Sequence, residues 1–137
     1  MKSLATLAAT AAALATLSVS AGAQPPSAAP PPNRHPACFW IQNIWNFAAN
    51  DTRTLYLRVG GNQTWALSLF ANCFQLDWVH RVGIRNRGAG SNICEGPNPG
   101  IDVVLRDVGV GRQSCPVTAV RKLTPDEVAA LPPRARP

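Results

Sequence analysis

Apolar and polar positions alternate most regularly between Thr54 and Phe70. Leu55, Leu57 and Val59 alternate with Tyr56 and Arg58. After Gly60-Gly61-Asn62-Gln63 the pattern resumes as Trp65, Leu67 and Leu69 against Ala66 and Ser68. Successive side chains of an extended chain leave opposite faces, so a period of two marks a half-buried strand. Two such runs around a Gly-Gly turn predict a β-hairpin. Shorter runs follow. CFWIQNIWNF (38–47) is rich in aromatic and β-branched residues, and VHRVGIRN (79–86) sets Val82 and Ile84 against Arg81, Gly83 and Arg85. SNIC is a brief strand before a Gly-Pro-Asn-Pro-Gly turn, and IDVVLRDV (101–108) follows it. CPVTAVRKL (115–123) places Cys115, Val117 and Ala119 on one face. NCFQLDW reads as one helical turn between strands. About seven short strands separated by turns predict an all-β fold, mainly antiparallel, curled into a small barrel or a sandwich.

The exception to strand patterning is the end of the chain. In TPDEVAALPP, Thr124 suits an N-cap, Pro125 the first helical position, and Glu127 completes a capping box. Pro132-Pro133 stops the helix, and Val128 with Leu131 form the face that docks on the sheet. A short C-terminal helix is predicted, dependent on that docking for its persistence.

Composition changes twice along the chain and divides it into four parts. Residues 1–23 begin with Lys2, continue as an Ala/Leu-rich run to about Val19 and end in Ala21-Gly22-Ala23. That is the layout of a signal peptide cleaved before Gln24. The apolar run falls short of the roughly 20 residues a membrane-spanning helix needs. Residues 24–36, QPPSAAPPPNRHP, are too proline-rich to pack and read as an extended flexible linker. Residues 37–131 carry the tryptophan, leucine, valine and isoleucine of a packed β-rich domain, and 132–137 form a C-terminal tail. The expected location is the periplasm or the exterior, with no membrane span in the mature form.

Export changes how the cysteines are read. Cys38, Cys73, Cys94 and Cys115 are even in number and widely spaced, without the close pairs of a zinc site or a C-x-x-C motif. Cys94, next to Glu95 in SNICEGPNPG, is therefore expected to be a structural staple rather than a reactive thiol. Disulfides persist in exported proteins and support domains too small for a large core. Three pairings are open. The favoured one is Cys38–Cys115 with Cys73–Cys94, because residues near the two ends of a closed barrel tend to meet.

The succession CFW, DTRTLYLRV, LSLFANCFQLDW, NIC and CPVTAVRKLTPDEVAAL resembles an uncharacterised family of small exported Gram-negative bacterial proteins, known as a domain of unknown function. The resemblance spans Cys38 to Leu131. It implies export, a four-cysteine framework and one β-rich domain, and it implies no activity, ligand or catalytic residue.

Candidate chemistry is sparse. The carboxylates are few: Asp51 is expected to start a turn, Asp102 and Asp107 to flank a strand, and Asp126 and Glu127 to serve the helix start. His80 follows Asp77 by three residues, and a helical turn there would let the pair touch. No serine lies in a G-x-S-x-G context to complete a hydrolase. Thirteen Lys+Arg stand against seven Asp+Glu, a formal net charge of +6, most of it arginine. Arg81, Arg85 and Arg87 recur at a period of two, so a strand would project them from one face, and guanidinium forks suit carboxylates and phosphates. Among the tryptophans, Trp65 and Trp40 are expected in the core, and Trp45 and Trp78 on the surface. The candidate binding surface is Arg81, Arg85, Arg87, Trp45 and Trp78. We expect a non-catalytic binding or envelope-associated accessory module without cofactor or metal. Its partner would be an anionic envelope component or a periplasmic protein, and not nucleic acid. The alternatives are a hydrolase using the Asp77/His80 region and a purely structural envelope protein.

Overall fold

The structure is a computed structural model that describes residues 35–88, 90–107 and 111–137. The expected signal peptide, and the expected linker apart from His35 and Pro36, lie outside the described residues. The described residues form nine strands: β1 (Cys38–Trp40), β2 (Ile44–Ala48), β3 (Thr54–Val59), β4 (Gln63–Leu69), β5 (Val82–Asn86), β6 (Asn92–Cys94), β7 (Gly96–Pro97), β8 (Ile101–Asp107) and β9 (Gly111–Lys122). One helix, α1 (Pro125–Ala130), follows.

The predicted hairpin is formed by β3 and β4, with Leu55 opposite Leu67 and Leu57 opposite Trp65. Gly60, at φ 58°, takes the left-handed conformation its turn requires at no side-chain cost. From this hairpin an antiparallel sheet extends in the order β2-β3-β4-β9-β8-β5, with β7 pairing on β9. The sheet curls into a half-barrel. Its concave face collects Leu55, Leu57, Trp65, Leu67, Ile101 and Val103, all fully buried. Burying each such aliphatic side chain stabilises the fold by roughly 1.5–3 kcal/mol.

A separate ladder of β1 and β6 supplies the cover. Phe39 pairs with Ile93, and both point into the core, where the Phe39 ring lies 4.6 Å from that of Trp65. Because side chains alternate, Phe39 turning inward sends Trp40 outward, and Trp40 is half exposed rather than in the core as expected. The run 38–47 is likewise not one strand. A 3-10 turn at Ile41–Asn43 separates β1 from β2, and the Ile41 N–H donates to the Ser91 carbonyl. NCFQLDW forms hydrogen-bonded turns at 74–78 and no helix.

All four cysteines are cross-linked, but as Cys38–Cys94 and Cys73–Cys115. The expected pairing of Cys38 with Cys115 and Cys73 with Cys94 is overturned. Strand pairing, rather than nearness to the chain ends, selects the partners. Strand β1 pairs with β6, which sets Cys38 directly opposite Cys94, with Cα atoms 4.0 Å apart. Cys115 faces the core from β9 beneath the loop after β4, where Cys73 is buried. Glu95 reinforces the first cross-link. Its carboxylate accepts from the Ala37 N–H (3.2 Å) and the Lys122 N–H (2.7 Å), fastening the β1–β6 ladder to β9. Cys94 is thus a cross-link and Glu95 a backbone tie.

Helix α1 has the predicted capping box. The Thr124 hydroxyl accepts from the Glu127 N–H, and the Glu127 carboxylate accepts from the Thr124 N–H. Leu131 lines a groove together with Tyr56, Ala66 and Ser68 of the sheet. The Arg136 guanidinium donates to the Ala129 and Leu131 carbonyls, closing the C-terminal end of the helix.

Candidate functional site

The convex face of β5, β8 and β9 gathers most of the candidate chemistry. On β8, Ile101, Val103 and Leu105 turn into the core, so Asp102 and Arg106 point outward. Asp102 does not flank a strand. It lies within β8 directly opposite Arg85 on β5 and is 3% exposed. Arg85 Nη2 donates to Asp102 Oδ2 at 2.8 Å, and Arg87 donates to Oδ1 from Nη2 (2.8 Å) and Nε (3.1 Å). Burial pushes the Asp102 carboxyl up, but hydrogen bonds from Arg85 and Arg87, with their charges, outweigh it and hold the carboxyl below its ordinary value. Two arginines of the expected stripe are therefore already engaged.

Arg81 stands apart from them. It is exposed and immediately precedes β5, whose first residue, Val82, pairs with Leu105, the neighbour of Arg106. On the other side of β8, Arg106 pairs with Arg112 of β9. Three exposed arginines thus form a row at one end of β5, β8 and β9, with Arg106 and Arg112 directly paired and Arg81 just before β5. The salt bridges among the described residues involve Arg85, Arg87 and Arg121, and none of this row. Like charges directly opposite in a sheet destabilise it, so the row is locally frustrated. Arg106 and Arg112 were not singled out in the sequence. The alternation of IDVVLRDV gives the outward side of Arg106, but its neighbours become evident only once the β8–β9 register is known, and β9 begins at Gly111, well before the expected Cys115.

The exposed aromatic residues include Trp45 (75%), Phe70 (70%), Trp78 (68%) and Phe74 (62%). Trp45 lies on edge strand β2, away from the arginine row in the strand order. Trp78 and Phe74 lie in the turn that leads to Arg81. In the orientation that satisfies both groups, the Gln113 side-chain amide donates to the Phe74 carbonyl (3.2 Å) and accepts from the Phe74 N–H (3.1 Å). The turn is thereby tied beside Arg112. Arg134 lies over the Trp78 ring, 5.9 Å from its centroid.

Open grooves formed by the described residues include three. One of about 310 Å³ lies between α1 and the sheet. Another, of about 380 Å³, is lined by Phe47, Asp77, Trp78 and Arg134, and a third of about 500 Å³ by Gln63, Lys122 and Val128. Asp77 and His80 are both exposed, and His80 lines none of the three. Among the described residues no three metal-ligating side chains cluster, and no helix is long and apolar enough to cross a membrane.

These features define a small all-β domain with two disulfides and a basic convex face. The chain belongs to a family of unknown function, DUF6491, whose sequence profile matches residues 1–136. No curated protein and no solved structure matches it.

Proposed function

We propose that the protein is an exported, non-catalytic binding module whose convex face at β5, β8 and β9 engages an anionic component of the cell envelope. The carrying observation is the Arg106–Arg112 pair, set side by side by strand register, with Arg81 just before β5 at the same end, all three outside every salt bridge of the described residues. An anion placed across it relieves the like-charge repulsion and accepts forked hydrogen bonds. Two disulfides support the exported reading, since such bonds persist outside the reducing cytosol.

Salt elution from phosphocellulose tests the reading. The chain carrying Arg81→Gln, Arg106→Gln and Arg112→Gln together should elute at markedly lower salt than the parent. Replacing Arg85 and Arg87 should matter less. Unchanged retention of the triple variant would refute the binding face. Ester or glycoside turnover abolished by His80→Ala would replace it with the hydrolase.

A further inference from the structure

The end of the sheet that bears the arginine row also bears two exposed aromatic side chains, and the combination narrows the kind of anion. Phe74 and Trp78 occupy one turn, and two separate attachments hold that turn in place. Cys73, just before it, is bonded to Cys115, and Gln113 grips the Phe74 backbone. From Trp78 the chain passes through Val79 and His80 to Arg81 at the start of β5, and the neighbouring strand β8 sets Arg106 opposite Arg112. Arg134 over Trp78 adds a fourth cation. Asp77 and Asp107 are the acidic residues of this end, so arginine remains in formal excess there.

A soluble polyanion would use the guanidinium groups and gain nothing from Phe74 or Trp78 in water. Large aromatic side chains held rigidly beside cations suit a boundary where phosphate head groups lie next to hydrocarbon. Exposed apolar side chains rimmed by charge mark an interaction surface when they are clustered rather than scattered.

We infer that this end of the sheet docks peripherally on an anionic phospholipid bilayer, with Arg81, Arg106 and Arg112 on the phosphates and Phe74 and Trp78 seated in the interfacial layer. The inference rests on the anion-binding reading of the arginines at the same end of the sheet and names their occupant. No segment crosses the bilayer in this arrangement.

Sedimentation of the disulfide-bonded chain with phosphatidylcholine vesicles, with and without phosphatidylglycerol, tests it. Binding should require phosphatidylglycerol and weaken with salt. Arg112→Glu should lower vesicle affinity more than about five-fold, the effect of removing one basic residue near such a surface. Phe74→Ser with Trp78→Ser should lower vesicle binding while leaving elution from phosphocellulose unchanged. Retention on phosphocellulose without vesicle binding, or equal binding to vesicles lacking phosphatidylglycerol, overturns the membrane inference and leaves the anion-binding face standing. Loss of both overturns the two together.

Discussion

Two clusters of arginine share the convex face of β5, β8 and β9, and they are built on opposite terms. At one end Arg85 and Arg87 converge on Asp102, whose two oxygens are shared between them. At the other end Arg106 meets Arg112 across the ladder, with Arg81 on the far side. The residue type and the sheet are the same. What differs is the residue that the register places opposite. A cation facing a carboxylate is internal structure, whereas a cation facing another cation is cohesion forgone, and it leaves the guanidinium donors to an outside acceptor. Local departures from self-consistency of this kind tend to mark functional surfaces.

The comparison can be broken in several ways, beginning with the largest effect. Replacing Cys73 and Cys115 by serine removes the cross-link that anchors the aromatic turn beside the unbalanced end. On the chain-entropy account a loop of this span contributes about 4 kcal/mol. Urea unfolding should show a loss of that order, against a similar loss for the Cys38–Cys94 pair, whose sequence separation is 56 rather than 42. Next, Asp102→Ala converts the balanced end into a second unbalanced one. It should cost about 1–3 kcal/mol through lost charged hydrogen bonds and raise the salt needed for elution from phosphocellulose. Destabilisation without tighter retention would show that Arg85 and Arg87 cannot be recruited.

Acid titration gives a smaller effect. The native Asp102 carboxyl titrates below its unfolded value of about 3.9. Its stabilisation is therefore complete above that value and is lost as the pH falls through the lower native one. Asp102→Asn should flatten this acid limb. Glu127 should preserve part of it, because the Thr124 backbone N–H and the Arg121 guanidinium hold its carboxyl low as well. The smallest change is Arg112→Glu, which gives Arg106 an opposite charge and should stabilise the domain by about 0.2–1 kcal/mol. Chemical denaturation measures the gain. If stability falls instead, the row is not frustrated and the contrast between the two ends disappears.

The contrast also explains how much of the molecule was legible beforehand. Short-range signals were reliable. The hairpin of β3 and β4 follows from alternation around a glycine turn, the capping box of α1 from three residue types at fixed spacing, and the Asp51 turn from its carboxylate accepting the Arg53 and Thr54 N–H groups. What failed depends on which strands become neighbours. Cys38 finds Cys94 because β1 pairs with β6, a partnership encoded in packing over Trp65 rather than in any local pattern. Trp40 was assigned inward because its composition suits a core, yet one face of a three-residue strand was taken by Phe39. At the candidate site Arg81, Arg85 and Arg87 were singled out as one stripe, and Asp102 divides them. Arg106 and Arg112 became candidates only through the β8–β9 register.

The two cross-links overlap along the chain, since Cys73 lies inside the loop closed by Cys38–Cys94 and Cys115 outside it. A protease that cuts once anywhere between Cys38 and Cys115 therefore releases no fragment. Within 74–93, the stretch holding the aromatic turn and β5, both halves remain joined by two bonds after the cut. A domain nicked there would keep its pieces together until a reductant opened both links, a useful tolerance wherever hydrolytic enzymes are abundant and resynthesis is remote.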